Sequence, residues 1–454
     1  MRSWGLELNN QKIDFEDYDN GLSDEMVHYC KQDVALTADV FGVLMAGLGG
    51  WKEPDQSIAL EHAIAVICRK QESNGFKLDI PAATILKATL SDRMGVLEDT
   101  VQSVFPPIVE ERFSEKTGKQ LKDKVTVFNL ASRKQIGERL QALGWKPTKR
   151  TEKGQPIVDE GTLESVDIPE AQMIAEYLMI QKRVAMIDSW LKHVKEDGRV
   201  HGGIITNGAV TGRMTHRNPN MGQVPSVNKP YGKEIRSLWT VEEGNVLVGT
   251  DLAGIELRCL AHYMQDPEWT EELLNGDIHQ KNADAAGITR PQSKTLIYAT
   301  LYGAGPAKIG SIVGGGAKEG NEILHRFYSN TPALSRLMEK VAKVAAKGYV
   351  PGLDGRRILV RSEHAALNSL LQGCGAIIAK QWCIEAHKVF RKQGLPVQQV
   401  AFVHDEIQVE TEERYGEEVA QIMCDAASQA GVALGFRCPV DAESKIGKNW
   451  FDTH

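Results

Sequence analysis

Two compact apolar runs, NVLVGT leading into Asp251 and VQQVAFV leading into His404 and Asp405, lie on either side of a long stretch of helical periodicity. Apolar runs of this length bounded by turn residues read as buried strands. The second run continues past its aspartate into EIQV, which predicts a β-hairpin with the acid at its turn. Strands so far apart in the chain share one sheet only if the helical segment between them is an insertion. The sequence therefore predicts an α+β molecule whose segments run helical, sheet, helical, sheet. A coiled coil, a peptide hormone and a disordered tail are excluded, and there is no internal repeat or low-complexity tract.

The rest of the chain fits that frame. At about 150 residues per domain, 454 residues suggest roughly three domains, and 42% hydrophobic residues supply a core for each. Residues 1–53 end in the helical pattern SDEMVHYCKQDVALTADVFGVLM, with Ser23 as N-cap and Gly47, Gly49 and Gly50 as its stop. Residues 54–193 carry long helical patterns and a basic loop, and from 194 the texture changes to glycine-punctuated strands. Helical periodicity returns from 263 to about 367. Seven dispersed cysteines form no CxxC pair and no zinc spacing, so they read as reduced thiols of a cytosol-like compartment. The opening MRSWGLELNN is not a secretion signal, and no stretch approaches the ~18 apolar residues of a membrane span. A soluble, cytoplasmic protein is expected.

The formal net charge is −7, which alone argues against a polyanionic partner. Its distribution argues the other way. Between Arg112 and Lys153 twelve basic residues face four acidic ones, an excess suited either to phosphate tracking or to a solvated surface.

Three constellations carry chemistry. Asp251 sits where a buried strand gives way to the helical DLAGIELRCLAHYM, and Asp405 sits at the hairpin turn. Carboxylates held at the edge of an apolar sheet are costly unless a cation compensates. Two on neighbouring strands would hold divalent metal for phosphoryl displacement, whereas singly each reads as a strand-end cap or a turn residue. The second constellation is TRPQSKTLIYATLYGAG, a helix that Thr289 caps and Gly303 ends. Arg290, Lys294, Tyr298 and Tyr302 recur there every fourth residue, along one slowly winding stripe. Two cations followed by two aromatics suit a nucleoside triphosphate, with His279 as a further donor; an amphipathic helix with a solvated basic edge is the alternative. Third, Arg213, Gln223, Arg236, Asn368 and Gln372 bear groups that bond phosphates or minor-groove acceptors, although capping and surface roles are common for such residues. Asn368 and Gln372 share a helix face at i and i+4.

Several patterns are discounted. GAGPAKIG and VGGGAKEG lack the spacing of a dinucleotide or Walker loop, and TGKQ lacks the residues of a P-loop. Asp14 and Glu16 form a D-x-E pair in a polar loop and read as solvated.

DLAGIELR, RPQSKTLIYATLYG and VHDEIQV, in that order, resemble motifs A, B and C of family A DNA polymerases. NGAVTGRMTH, NGDIH, GLDGR, HAALNSLLQ and the ending KIGKNWFDTH extend the resemblance over nearly the whole chain. It implies a right-hand polymerase fold with helical thumb and fingers and a palm built on an antiparallel β-sheet. The thumb would span 54–193, the palm 194–262 and 368–454, and the fingers 263–367, after an exonuclease-domain remnant at 1–53. By matching position, Asp251 and Asp405 would be catalytic and bind two magnesium ions, with manganese as a substitute and the Leu252 carbonyl assisting. His279, Arg290 and Lys294 would hold a deoxynucleoside triphosphate, Glu256 would gate against ribonucleotides, and Tyr298 would favour acceptance of dideoxynucleotides. Tyr302 would stack at the template base, while Arg213, Gln223, Asn368, Gln372 and His404 would contact primer-template DNA.

Two departures from the family pattern carry expectations. Tyr29 and Asp33 in YCKQD resemble the last motif of a proofreading exonuclease whose earlier motifs would precede Met1. Proofreading is therefore expected to be absent, or supplied by a separate polypeptide. The span from Phe105 to Phe128 is short where phage members carry a thumb insertion that recruits thioredoxin. Thioredoxin and a membrane are not expected partners, and synthesis should be distributive. Rival readings are a non-catalytic DNA-binding scaffold and a nuclease built on Asp14, Glu16, Tyr29 and Asp33.

Overall fold

The computed structural model describes residues 1–454. Its centre is a four-stranded antiparallel sheet in the order Gln398–Val403, Glu406–Glu412, Asn245–Leu252, Ala442–Gly447. The two apolar runs thus become strands of one sheet, and the chain between them is an insertion, as the sequence predicts. Both faces are covered, which is why these strands read as near-continuous apolar runs. Val246 and Val248 face a core shared with helices Ala366–Gln393 and Gly416–Ala433, while Leu247 faces a second core with Trp190, Trp239 and Trp450.

The N-terminal helices begin at side-chain caps, of which the sequence predicts Ser23. Ser23 accepts from the Met26 amide at the start of Asp24–Leu48, and Asp79 accepts from the Ala82 amide at the start of Ile80–Val104. Ile80–Val104 packs against the long helix Pro169–His193. Helix Pro54–Asn74 behaves differently. Leu60, Ile64, Ile67 and Cys68 join the core of the central sheet, and the Asn74 side chain donates to the Gln399 carbonyl at the sheet edge. Strand Phe76–Leu78 pairs with Arg199–Val200 and Trp239–Thr240. Helix Pro54–Asn74 thus packs with the central sheet, while Ile80–Val104 packs with Pro169–His193.

The basic loop expected near residue 115 is instead a second hairpin, Ile108–Phe113 paired with Gln120–Thr126. All six residues of its first strand are exposed, as are residues 115–117 of the adjoining turn, so no alternation of apolar and polar residues announces it. The discounted glycine-rich segments serve packing. They belong to helices Pro306–Ser311 and Ala317–Asn330, and a Cβ at Gly310 would lie 1.8 Å from the Gly316 carbonyl oxygen. Only glycine permits that approach. No helix is long and apolar enough to cross a membrane.

Candidate active site

The hairpin turn predicted between the apolar runs is present: Val403 pairs with Glu406, and His404 and Asp405 form the tip. His404 has φ +59°, a backbone conformation costly for a residue with a Cβ, so tertiary contacts hold the tip in place. The adjacent His216 ring hydrogen-bonds the Phe402 carbonyl at 2.9 Å. Glu406 lies opposite Asp251 in the ladder, and the Leu252 amide donates to the Asp405 carbonyl at 3.1 Å. Asp251 and Asp405 are thereby brought together at one end of the sheet.

The electrostatics follow from this register. Asp251 is solvent-exposed, yet the protein around it pushes its carboxyl up to about 7, first by desolvation and then through Asp405, Glu406 and Glu443. Burial also raises the Asp405 carboxyl, opposed by Arg213. Glu406 goes the other way. Burial alone would raise it, but His454, Arg236 and the Trp450 indole N–H outweigh burial and hold it below the usual carboxylate range. Two under-compensated carboxylates beside a compensated third fit a hard divalent cation that takes its remaining ligands from water and phosphate. No cluster of three or more His, Cys, Asp or Glu side chains arranged to hold a metal occurs in the chain, so a cation here would rest on the Asp251 and Asp405 pair.

Helix Arg290–Leu301 is fixed by a capping box, in which Thr289 and Gln292 satisfy each other's backbone amides, with Pro291 in the first turn. Its exposed Arg290 and Lys294 and its half-buried Tyr298 line a cavity of about 510 Å³ together with His279, Asp277, Arg258, Ala253 and Gly254. Ala253 and Gly254 directly follow the strand that ends at Leu252, so the cationic pocket adjoins the carboxylates. Arg290 Nε donates to Asp277 at 2.7 Å, and that pair holds the Asp277 carboxyl low. The buried Nδ1 of His279 has no partner. Burial, with Arg290 and Lys294 nearby, pushes the His279 imidazole down and favours its neutral form.

Glu256 is a junction. It accepts from the Tyr302 hydroxyl at 2.9 Å and from Arg213 at 3.2 Å. Asn368 and Gln372 occupy the half-buried start of helix Ala366–Gln393. Gln223 is not brought to the carboxylates. It lines a separate cavity of about 670 Å³ with Lys182, Arg183 and Asn220.

Arg236 departs from the sequence expectation. It is buried, donates to the Pro225 carbonyl at 2.9 Å and lies over the Trp450 ring, so its guanidinium is committed to the protein interior and to Glu406. The sequence reading missed Glu406, Trp450 and His454. Glu406 adjoins Asp405 in the quoted motif, but its partners come from chain segments far away. At the N-terminus Lys12 donates to both Asp33 oxygens, at 2.9 and 2.8 Å, and to the Tyr29 hydroxyl at 3.3 Å. Asp14 pairs with Arg2. These acids are occupied by cations, which disfavours the nuclease reading.

Comparisons with known proteins place the chain in a family. DNA polymerase family A matches residues 109–452. The whole chain is 35% identical over 583 aligned residues to a DNA-directed DNA polymerase of Escherichia phage T7, covering 82% of that protein. A DNA-directed DNA polymerase of Enterobacteria phage T3 is similar to the same extent, 35% over 583 residues with the same coverage. Among solved structures, the POL domain of Pol1 from M. smegmatis, in complex with DNA primer-template and dNTP, superposes with a TM-score of 0.83. That likeness covers 100% of this chain and 79% of the other at 21% identity, and it is a likeness of fold.

Proposed function

The chain belongs to DNA polymerase family A, a family of metal-dependent enzymes with a right-hand fold, and on that premise we propose how its residues divide the work of template-directed DNA synthesis. The observation that carries the proposal is the meeting of Asp251, on a central strand, with Asp405, at the tip of the adjoining hairpin, beside a cationic pocket. The substrates are a primer-template and a deoxynucleoside triphosphate. The primer 3′ hydroxyl attacks the α-phosphate, a P–O bond forms there, and pyrophosphate leaves with the electrons of the broken bond.

Asp251 and Asp405 would hold two divalent cations, magnesium in the cell or manganese as a substitute, with the Leu252 carbonyl assisting. When bound, such ions stabilise the attacking and leaving oxygens. Arg290 and Lys294 clamp the triphosphate, and Arg290 exchanges Asp277 for phosphate oxygens when the nucleotide enters. His279 adds a neutral donor. Their charge offsets what builds up on the phosphates during transfer, the largest stabilising contribution in this chemistry. Glu256 closes the pocket below the sugar, and Tyr298 lies over the 3′ position. Tyr302 gives up Glu256 to stack at the template base. Arg213, Gln223, Asn368, Gln372 and His404 contact the primer-template, with thumb at 54–193, palm at 194–262 and 368–454, and fingers at 263–367. The setting proposed is phage DNA replication in the host cytoplasm.

The test is extension of a labelled primer with magnesium and four deoxynucleotides, beside a lane without nucleotides. Extension without shortening in the bare lane is expected, and Asp405→Asn should abolish extension while primer-template binding persists. Near-normal extension by Asp405→Asn would overturn the metal assignment.

A further inference from the structure

Beneath Arg213 lies a buried ionic cluster that the mechanism above does not use. Lys380, on helix Ala366–Gln393, has a 2% exposed side chain and donates to both Glu61 oxygens at 2.7 and 2.9 Å. Its third hydrogen bond goes to Asn207 Oδ1 at 2.9 Å, so all three ammonium protons are used. Arg356 donates to Glu61 at 2.6 Å and forks onto the fully buried Asp354. Two cations and two carboxylates thus close a neutral, hydrogen-bonded set, the form in which buried charge is tolerable.

The cluster also supports a particular loop. Asn207 begins the turn that ends at Arg213, in which the Gly212 amide donates to the Ala209 carbonyl and the Ala209 amide to the Arg213 carbonyl. Gly212 has φ +77°, and a Cβ there would stand 3.4 Å from an Arg356 guanidinium nitrogen and 3.8 Å from Asn207 Oδ1. The Thr211 carbonyl lies against Gly373 of the long helix, one residue after Gln372. The loop is therefore seated directly on the ionic cluster, with Arg213 projecting from its far end to Glu256.

We infer that Lys380 and Asn207 are positioning residues for Arg213: the ammonium anchors the start of the turn, and the turn aims the guanidinium at the primer-template. This rests on the reading of Arg213 as a primer-template contact. Acting through a loop, the pair sets how tightly the duplex is held and leaves the phosphoryl transfer itself alone. Chemistry alone does not require so elaborate a support beneath an otherwise exposed loop. An Asn207 lacking its acceptor frees the loop, while the ion cluster itself remains closed by Arg356 and Glu61.

The experiment is a double-mutant cycle on the full chain, read as primer-template Kd and as the KM and kcat of nucleotide incorporation. Asn207→Ala leaves the buried charges intact and should fold where Lys380→Met does not. It is expected to weaken primer-template binding about fivefold to tenfold, with kcat on saturating duplex unchanged. In an Arg213→Ala background the same change should cost nothing more, and Asn207→Asp, which keeps an acceptor for Lys380, should restore affinity. Full additivity of Asn207→Ala and Arg213→Ala, or an unchanged Kd for Asn207→Ala, would overturn the positioning role alone. A silent Arg213→Ala would overturn the Arg213 reading and this inference with it.

Discussion

At the scale of single residues, the site is governed by how much negative charge the sheet end carries before any cation arrives. Asp251 has Glu406 across one strand and Glu443 across the other, and its carboxyl is pushed from 3.8 up to about 7. A carboxyl raised on folding binds more protons folded than unfolded between those values, so its contribution to stability falls as pH rises through that window. The metal-free protein should accordingly lose thermal stability between about pH 4 and pH 7 relative to Asp251→Asn, and the difference should level off above. Added magnesium should remove the loss, because cation and proton compete for the same oxygens. Melting midpoints across pH, with chelator and with magnesium, check this; parallel curves for the two proteins would contradict it. Tyr298 permits a second test at this scale. Its hydroxyl is the only group that Tyr298→Phe removes, and one hydrogen bond is worth about 1 kcal/mol. Discrimination against dideoxynucleotides should rise by at least about fivefold in that variant, measured as a ratio of chain-termination efficiencies.

At the scale of elements, legibility followed periodicity and capping. The helix Arg290–Leu301 was readable because Thr289, Pro291 and Gly303 mark its ends and its functional side chains recur every four residues. The carboxylate-bearing hairpin was readable because its strands are apolar and its turn is not. The hairpin at 108–126 was not, since solvent on both faces leaves no pattern of period two. Lys380 and the Arg236–Glu406–His454 set were equally hidden. Each is a charge on an ordinary-looking segment, and only strand register and helix packing supply its partners. The cap yields a prediction of its own. Thr289→Ala removes the hydroxyl half of the capping box, leaving the Gln292 side chain on the backbone amide of residue 289, and should cost the helix start about 1 kcal/mol. Arg290 is the first helical residue, so the loss should appear as a severalfold higher nucleotide KM with kcat little changed. Steady-state incorporation of one nucleotide measures it, and a fall in kcat alone would assign the cap a different role.

At the scale of the whole molecule, the central sheet is a wall shared by two cores. Val246 and Val248 point into one, with Phe402 and Ile407, and Leu247 points into the other, with Val400, Val403 and Trp450. The carboxylates stand at the end of this wall, so they are held by packing on both sides at once. A shared wall couples the two sides energetically, because neither core can open without exposing the strand that the other also needs. Leu247 tests this. It is fully buried and lies four positions up the strand from Asp251. Leu247→Ala should cost about 2–5 kcal/mol through the lost transfer energy and the cavity left behind. If the wall couples the two cores, calorimetry will show a single transition displaced to lower temperature, and primer extension well below that midpoint will remain close to normal. Separation into two transitions, one displaced and one not, would mean that the second core melts by itself and that the carboxylates depend on only one face of the sheet.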